Sequence, residues 1–146
     1  MSAESAPCFL DTNVLVYAFD KSGSPKSRVS QQLIDTLMEQ DALRTSTQVL
    51  QELFVLLTRK VPKPCTSAAA EGVLDSLAAW PVVTIDYPAI RAAIALADQA
   101  RISFWDALAV TAAARCGASV LYTEDLNPGQ TILGVRISNP FAAPQE

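Results

Sequence analysis

Four acidic residues in this chain have the side chains and the placement to do chemistry together: Asp11, Glu52, Asp106 and Asp125. Each is expected where a strand hands over to a helix or loop. In an open α/β sheet those handovers lie along the carboxyl edge of the strands, where such folds place their ligand sites. Residues far apart in sequence would then converge. Like charges brought together raise one another's pKa values unless cations balance them, so convergence points to a divalent metal held by carboxylate oxygens. That in turn suggests metal-assisted chemistry on phosphate. The chain has no histidine, which removes Ser-His and Cys-His nucleophiles and His-ligated zinc.

Each acid also has a structural explanation. Asp11 precedes Thr12 and Asn13, and all three residue types favour helix caps and Asx turns. Glu52 lies about 40° from Leu56 on a helical wheel, at the margin of the apolar stripe, where a carboxylate is partly desolvated unless Arg59 or Lys60 pairs with it. Ser103 and Asp106 have the spacing of a capping box, and one carboxylate could serve both the helix end and a metal. Asp125 follows Thr123 and Glu124, and spacing does not decide which of the two acids turns inward. Asp86, ahead of Tyr87 and Pro88, reads as a cap alone. Taken jointly, four such coincidences along one sheet edge favour a site.

The elements that must position these acids alternate along the chain. Residues 8–10, 43–46, 82–85, 119–122 and 135–137 read as short strands. Residues 25–40 read as an amphipathic helix with Val29, Leu33, Leu37 and Met38 inward, and 47–60 as one with Val49, Leu53, Leu56 and Leu57 inward. Pro62-Lys63-Pro64 ends the latter. Further helices are expected at 67–79, 88–100 and 104–116, the last rich in small residues and closed by Gly117. This pattern predicts a mostly parallel sheet of about five strands flanked by helices.

A length of 146 residues suits one domain, expected to span 1–146 with its core at about 7–141 and short polar termini. Half the residues are apolar, yet no uninterrupted stretch reaches the roughly 18 residues a membrane span needs, and MSAESAPC has no basic segment followed by an apolar run, so no secretory signal is expected. Cys8, Cys65 and Cys116 are odd in number and widely spaced, which fits packing roles in a reduced cytoplasm. The net charge of −4 comes from 11 basic and 15 acidic residues, so the four candidate acids alone account for the deficit. Basic residues gather at Lys21, Lys26 and Arg28, and at Arg59, Lys60 and Lys63, each either a nucleic-acid contact or a solvated face.

With these residues in view, the chain resembles the PIN-domain family, and within it the VapC-type toxins of bacterial toxin–antitoxin pairs. The matching segments are FLDTNVLVYAFD (9–20), QVLQELF (48–54), SFWDALAVTAA (103–113), VLYTEDLNPGQ (120–130) and ISNPF (137–141), in the same order over nearly the whole chain. The resemblance implies a single PIN-like α/β domain in which Asp11, Glu52, Asp106 and Asp125 coordinate Mg²⁺ or Mn²⁺, with Asn13 and Thr123 in support. It also implies RNA cleavage, a homodimer and a small antitoxin protein as partner. The substrate-binding residues stay unassigned. Independently of the family, Asp11 and Asp106 are the first choice for direct ligands, with Glu52 and Asp125 completing the site through water or a second ion. Water so activated would cleave RNA without the 2′-OH and leave a 5′-phosphate and a 3′-OH.

Alternatives remain at this level. A housekeeping PIN-type RNA-processing nuclease would carry the same acids. An Asp-nucleophile phosphohydrolase needs a second Asp where this chain has Asn13. A non-catalytic binding module would use the acids as caps.

Overall fold

The computed structural model describes residues 6–21 and 23–142, and in it the predicted alternation becomes a sheet flanked by helices. Among the described residues the strands are β1 (Cys8–Leu10), β2 (Leu43–Ser46), β3 (Val82–Val83), β4 (Val120–Tyr122), β5 (Thr131–Ile132) and β6 (Val135–Ser138). They lie in the order β3-β2-β1-β4-β6-β5, every neighbouring pair parallel except the short β5–β6 hairpin, which the expectation of about five strands did not include. The inner strands are apolar runs because both sheet faces are covered: Phe9, Leu10, Leu43 and Leu121 have no exposed surface. Burying a side chain of that size stabilises by roughly 1.5–3 kcal/mol, so the strand ends are firmly anchored.

Register then sets the positions that matter. Leu10 pairs with Tyr122, and Tyr122 with Ser138. The carboxyl ends of β1, β4 and β6 are therefore level. The Asp11 amide donates to the Tyr122 carbonyl at 3.0 Å and the Thr123 amide to that of Ser138 at 3.0 Å, carrying the ladder one residue further.

The helices are α1 (Thr12–Ala18), α2 (Pro25–Glu39), α3 (Thr47–Val55), α4 (Ser67–Leu77), α5 (Tyr87–Ala100) and α6 (Phe104–Arg115). Three features depart from expectation. α1 is an added short helix, begun by Asp11 as its N-cap. The inward face of α2 is wider than expected and shifted at its start: Leu37 is buried and Leu33 and Met38 pack partly buried against the core, but Val29 is 38% exposed, whereas Ser27 and Ser30 are buried with Ile34. The serines are small enough to admit α1 and are satisfied there, Ser30 Oγ donating to the Val14 carbonyl at 2.6 Å and Ser27 Oγ to that of Asp20 at 3.2 Å. Third, residues 47–60 are not one α-helix, because α3 passes into a π turn, Leu56–Lys60. The Thr58 hydroxyl donates to the Phe54 carbonyl at 2.8 Å and so intrudes on the α ladder, while the Val61 amide reaches back five residues to Leu56 at 3.1 Å.

α6 is buried on every side from Ala107 to Ala113, as its small residues predict, and ends at Gly117 with φ +71°. That enclosure fixes where its first turn lies.

Candidate metal centre

Asp11, Asp106 and Asp125 each present a carboxylate oxygen within 4.8 Å of the others. They arrive by different routes. Asp11 follows β1 directly, in extended backbone, and caps α1: Oδ1 accepts from the Thr12 amide at 2.8 Å. Asp106 does not follow a strand, contrary to expectation, but comes after α5 in the first turn of α6. A helix that leads into a parallel strand runs back across the sheet, so its N-terminus lies at the carboxyl edge. Ser103 caps that end, its Oγ accepting from the Asp106 amide at 3.0 Å.

Thr123, fully buried after β4, ties the site together. Its hydroxyl donates to Asp11 Oδ2 at 2.9 Å and accepts from the Asp125 amide at 3.1 Å and from Asn13 Nδ2 at 3.3 Å. One donation and two acceptances exhaust what a hydroxyl can do. Asn13 Oδ1 accepts in turn from the Glu124 amide at 3.3 Å. Asn13 and Thr123 thus orient Asp11 and the 124–125 loop.

The acid of that loop that meets the cluster is Asp125, an exposed residue. Glu124 turns away to Lys26, whose ammonium meets its carboxylate at 2.6 Å and lies 5.0 Å from the Tyr17 ring centroid and 5.3 Å from that of Phe141. The two rings pack edge to face, 5.1 Å apart. No spacing rule could have found this clasp, since Lys26 and Glu124 are 98 residues apart. Activity should divide accordingly. Glu124→Gln loses only a partly exposed ion pair and is expected to retain cleavage within about fivefold. Asp125→Asn removes a member of the cluster and is expected to lose at least about a hundredfold. Steady-state cleavage by the two variants checks the assignment, and the reverse ranking would make Glu124 the fourth acid.

Glu52 stands apart from the three. It lies in the second turn of α3 rather than at a handover, is exposed rather than partly desolvated, and accepts from Gln48 Nε2 at 2.6 Å instead of pairing with Arg59 or Lys60. α3 turns this edge to solvent. Its charge still reaches the cluster, as one of two carboxylates that help raise the pKa of Asp11.

Burial pushes Asp11 up to about 6; the Thr12 amide and Thr123 hydroxyl oppose the rise, and Asp125 and Glu52 add to it. Burial likewise raises Asp106, opposed by Ser103 and reinforced by Asp125. A cluster of carboxylate oxygens is a donor set of the kind that hard divalent ions take.

The PIN-domain family model matches residues 8–130. The chain belongs to the PIN-domain family. Among solved structures it is similar to VapC20 of Mycobacterium tuberculosis, a sarcin–ricin loop cleaving toxin, with a TM-score of 0.59 at 19% sequence identity, covering 81% of this chain and 89% of that one. No curated protein matches the sequence. Among the described residues no helix is long and apolar enough to cross a membrane.

Proposed function

We propose that this chain is a Mg²⁺- or Mn²⁺-dependent endoribonuclease and the toxin of a toxin–antitoxin pair, acting in the cytoplasm as a single PIN-like domain over 1–146. The observation that carries the reading is the meeting of Asp11, Asp106 and Asp125, each with a carboxylate oxygen within 4.8 Å of the others. When bound there, a divalent ion supplies an activated water and offsets charge on the scissile phosphate. Asp11 and Asp106 would be its direct ligands. Asp125 and Glu52 complete the negative ring, Glu52 from the rim. Thr123 and Asn13 keep Asp11 and the Asp125 backbone in register. The N-terminus of α6 favours the ionised form of Asp106, so a carboxylate raised by burial is still available to a cation. The chain offers no imidazole to relay protons, and the products expected are a 5′-phosphate and a 3′-OH.

Incubation of purified protein with structured and single-stranded RNA tests this. Cleavage is expected with Mg²⁺ or Mn²⁺ and is lost in excess chelator; cleavage undiminished by chelator refutes the metal, and no cleavage with either ion refutes the nuclease.

An antitoxin fits the same region. An apolar groove of about 520 Å³, lined by Thr47, Leu50, Gln51, Phe54, Val55 and Leu74, runs beside the helix that carries Glu52. An apolar segment docked there could send an Arg or Lys among the acids in place of the metal. The chain alone is expected to arrest growth, Asp11→Asn to be harmless, and co-expression of the adjacent small gene product to restore growth. Unaffected growth at confirmed expression, with cleavage in vitro, would favour the housekeeping RNA-processing reading. A homodimer is also expected, read from the mass in solution.

A further inference from the structure

The π turn decides which basic residue borders the groove that holds Glu52. Gln51, Glu52, Val55, Leu56 and Lys60 line one groove of about 330 Å³. Along it, Gln51, Val55 and Lys60 form a row that steps four residues and then five. In an uninterrupted α-helix the row of Gln51 and Val55 would continue to Arg59, and that of Glu52 and Leu56 to Lys60, so both bases would border the groove. The i→i+5 closure takes up one extra residue, which leaves Arg59 out of the lining and Lys60 in it. The Thr58 hydroxyl on the Phe54 carbonyl holds that closure, so the selection of Lys60 over Arg59 is built into the helix.

Lys60 is therefore in the same groove as Glu52, the acid at the rim of the cluster. It makes no ion pair with Glu52 or with any other described residue. Its ammonium, on an exposed residue, remains open to an outside anion. Next to a site that draws a cation, the anion of matching chemistry is a phosphate of the nucleic acid being cut: the ammonium binds it as a point charge, away from the reacting atoms. We propose that Lys60 is a substrate-binding residue that holds the RNA backbone beside the acidic cluster, its position set by the π turn. The assignment rests on the endoribonuclease reading above.

The test compares charge changes of equal size at neighbouring positions. Lys60→Ala, Lys60→Arg, Arg59→Ala and Lys63→Ala are each made in the Asp11→Asn chain, and binding of a fluorescein-labelled 20-nucleotide oligouridylate is followed by anisotropy across a KCl series in Mg²⁺. Lys60→Ala is expected to weaken binding about tenfold at low salt, as for a lost charged hydrogen bond. It should also flatten the slope of log Kd against log salt by about 0.7, the contribution of one phosphate on a single strand. Lys60→Arg should restore both, and Arg59→Ala and Lys63→Ala should change Kd less than about twofold. In the otherwise wild-type chain, Lys60→Ala should raise KM with little change in kcat. Equal losses for Arg59→Ala and Lys60→Ala, or an unchanged slope for Lys60→Ala, overturn the proposal. The two readings separate cleanly: cleavage that is metal-dependent but indifferent to Lys60 removes only this assignment, whereas Lys60-dependent binding by a chain that never cuts RNA removes only the nuclease.

Discussion

RNA cleavage by the Asp11→Asn chain, and separately by Asp106→Asn, is expected to fall at least about a thousandfold while the protein stays folded. The two carboxylates come from different elements and share one cluster, so either loss leaves an incomplete ring for a divalent ion. Of the bonds in the cluster, Asp11→Asn gives up the one that the Thr123 hydroxyl donates to Oδ2, a local loss that relief of like-charge repulsion offsets. Asn is as good an N-cap as Asp and can still accept from the Thr12 amide, and Asp106 is itself held through its backbone amide by Ser103. Steady-state rates in Mn²⁺ alongside far-UV circular dichroism measure both halves of the expectation. Retention of more than about a tenth of wild-type activity by either variant would contradict the metal-centre reading.

The metal-free protein should also gain stability in mild acid. Asp11 has its pKa raised from 3.8 to about 6 by folding, and Asp106 is shifted in the same direction. A carboxyl group raised on folding favours the native state in its protonated form. Its contribution is fully present below the unfolded value near 3.8 and is lost as pH rises through about 6. For Asp11 the difference across that window is on the order of 2–3 kcal/mol. In chelator, thermal denaturation of wild type should show a melting temperature several degrees higher near pH 5 than near pH 7.5. Asp11→Asn should flatten that profile and exceed wild type at neutral pH. Saturating Mg²⁺ should recover about 2.7 kcal/mol at a hundred times its Kd in wild type, and far less in the variant. A wild-type chain most stable at neutral pH without metal would show that the cluster carries no such penalty.

How much of this was legible in the sequence depends on distance along the chain. Asp11 is readable because β1 is an apolar run that stops abruptly at it, whereas the end of β4 brings the pair Glu124 and Asp125 to the edge without choosing between them. Asp106 is readable from Ser103 and a small-residue helix, although its route to the edge is not, because helix direction appears only once strand order is known. The altered face of α2 escapes periodicity, since buried serines look polar until their carbonyl partners at Val14 and Asp20 are in place. The π turn escapes it too: Leu53 and Leu57 keep ordinary α spacing, and the added residue shows only beyond them. The exposure of Glu52 escapes it for a related reason, as a wheel gives its angle to Leu56 but not which way α3 faces.

The clasp of Lys26 between Tyr17 and Phe141 bears on the order in which the site is completed during synthesis. All four acids have left the ribosome's catalytic centre once residue 125 is joined, but one wall of the clasp that holds Glu124 is Phe141, 16 residues later (141 − 125), and β6, which accepts the Thr123 amide, is also still to come. At roughly 5–20 residues per second that interval is about a second or more, and the tunnel delays docking further. The growing chain therefore carries every acid before the groups that hold them in place have been joined, and the proposed nuclease, made beside ribosomal RNA, acquires its finished centre only after those final strands and rings have been delivered.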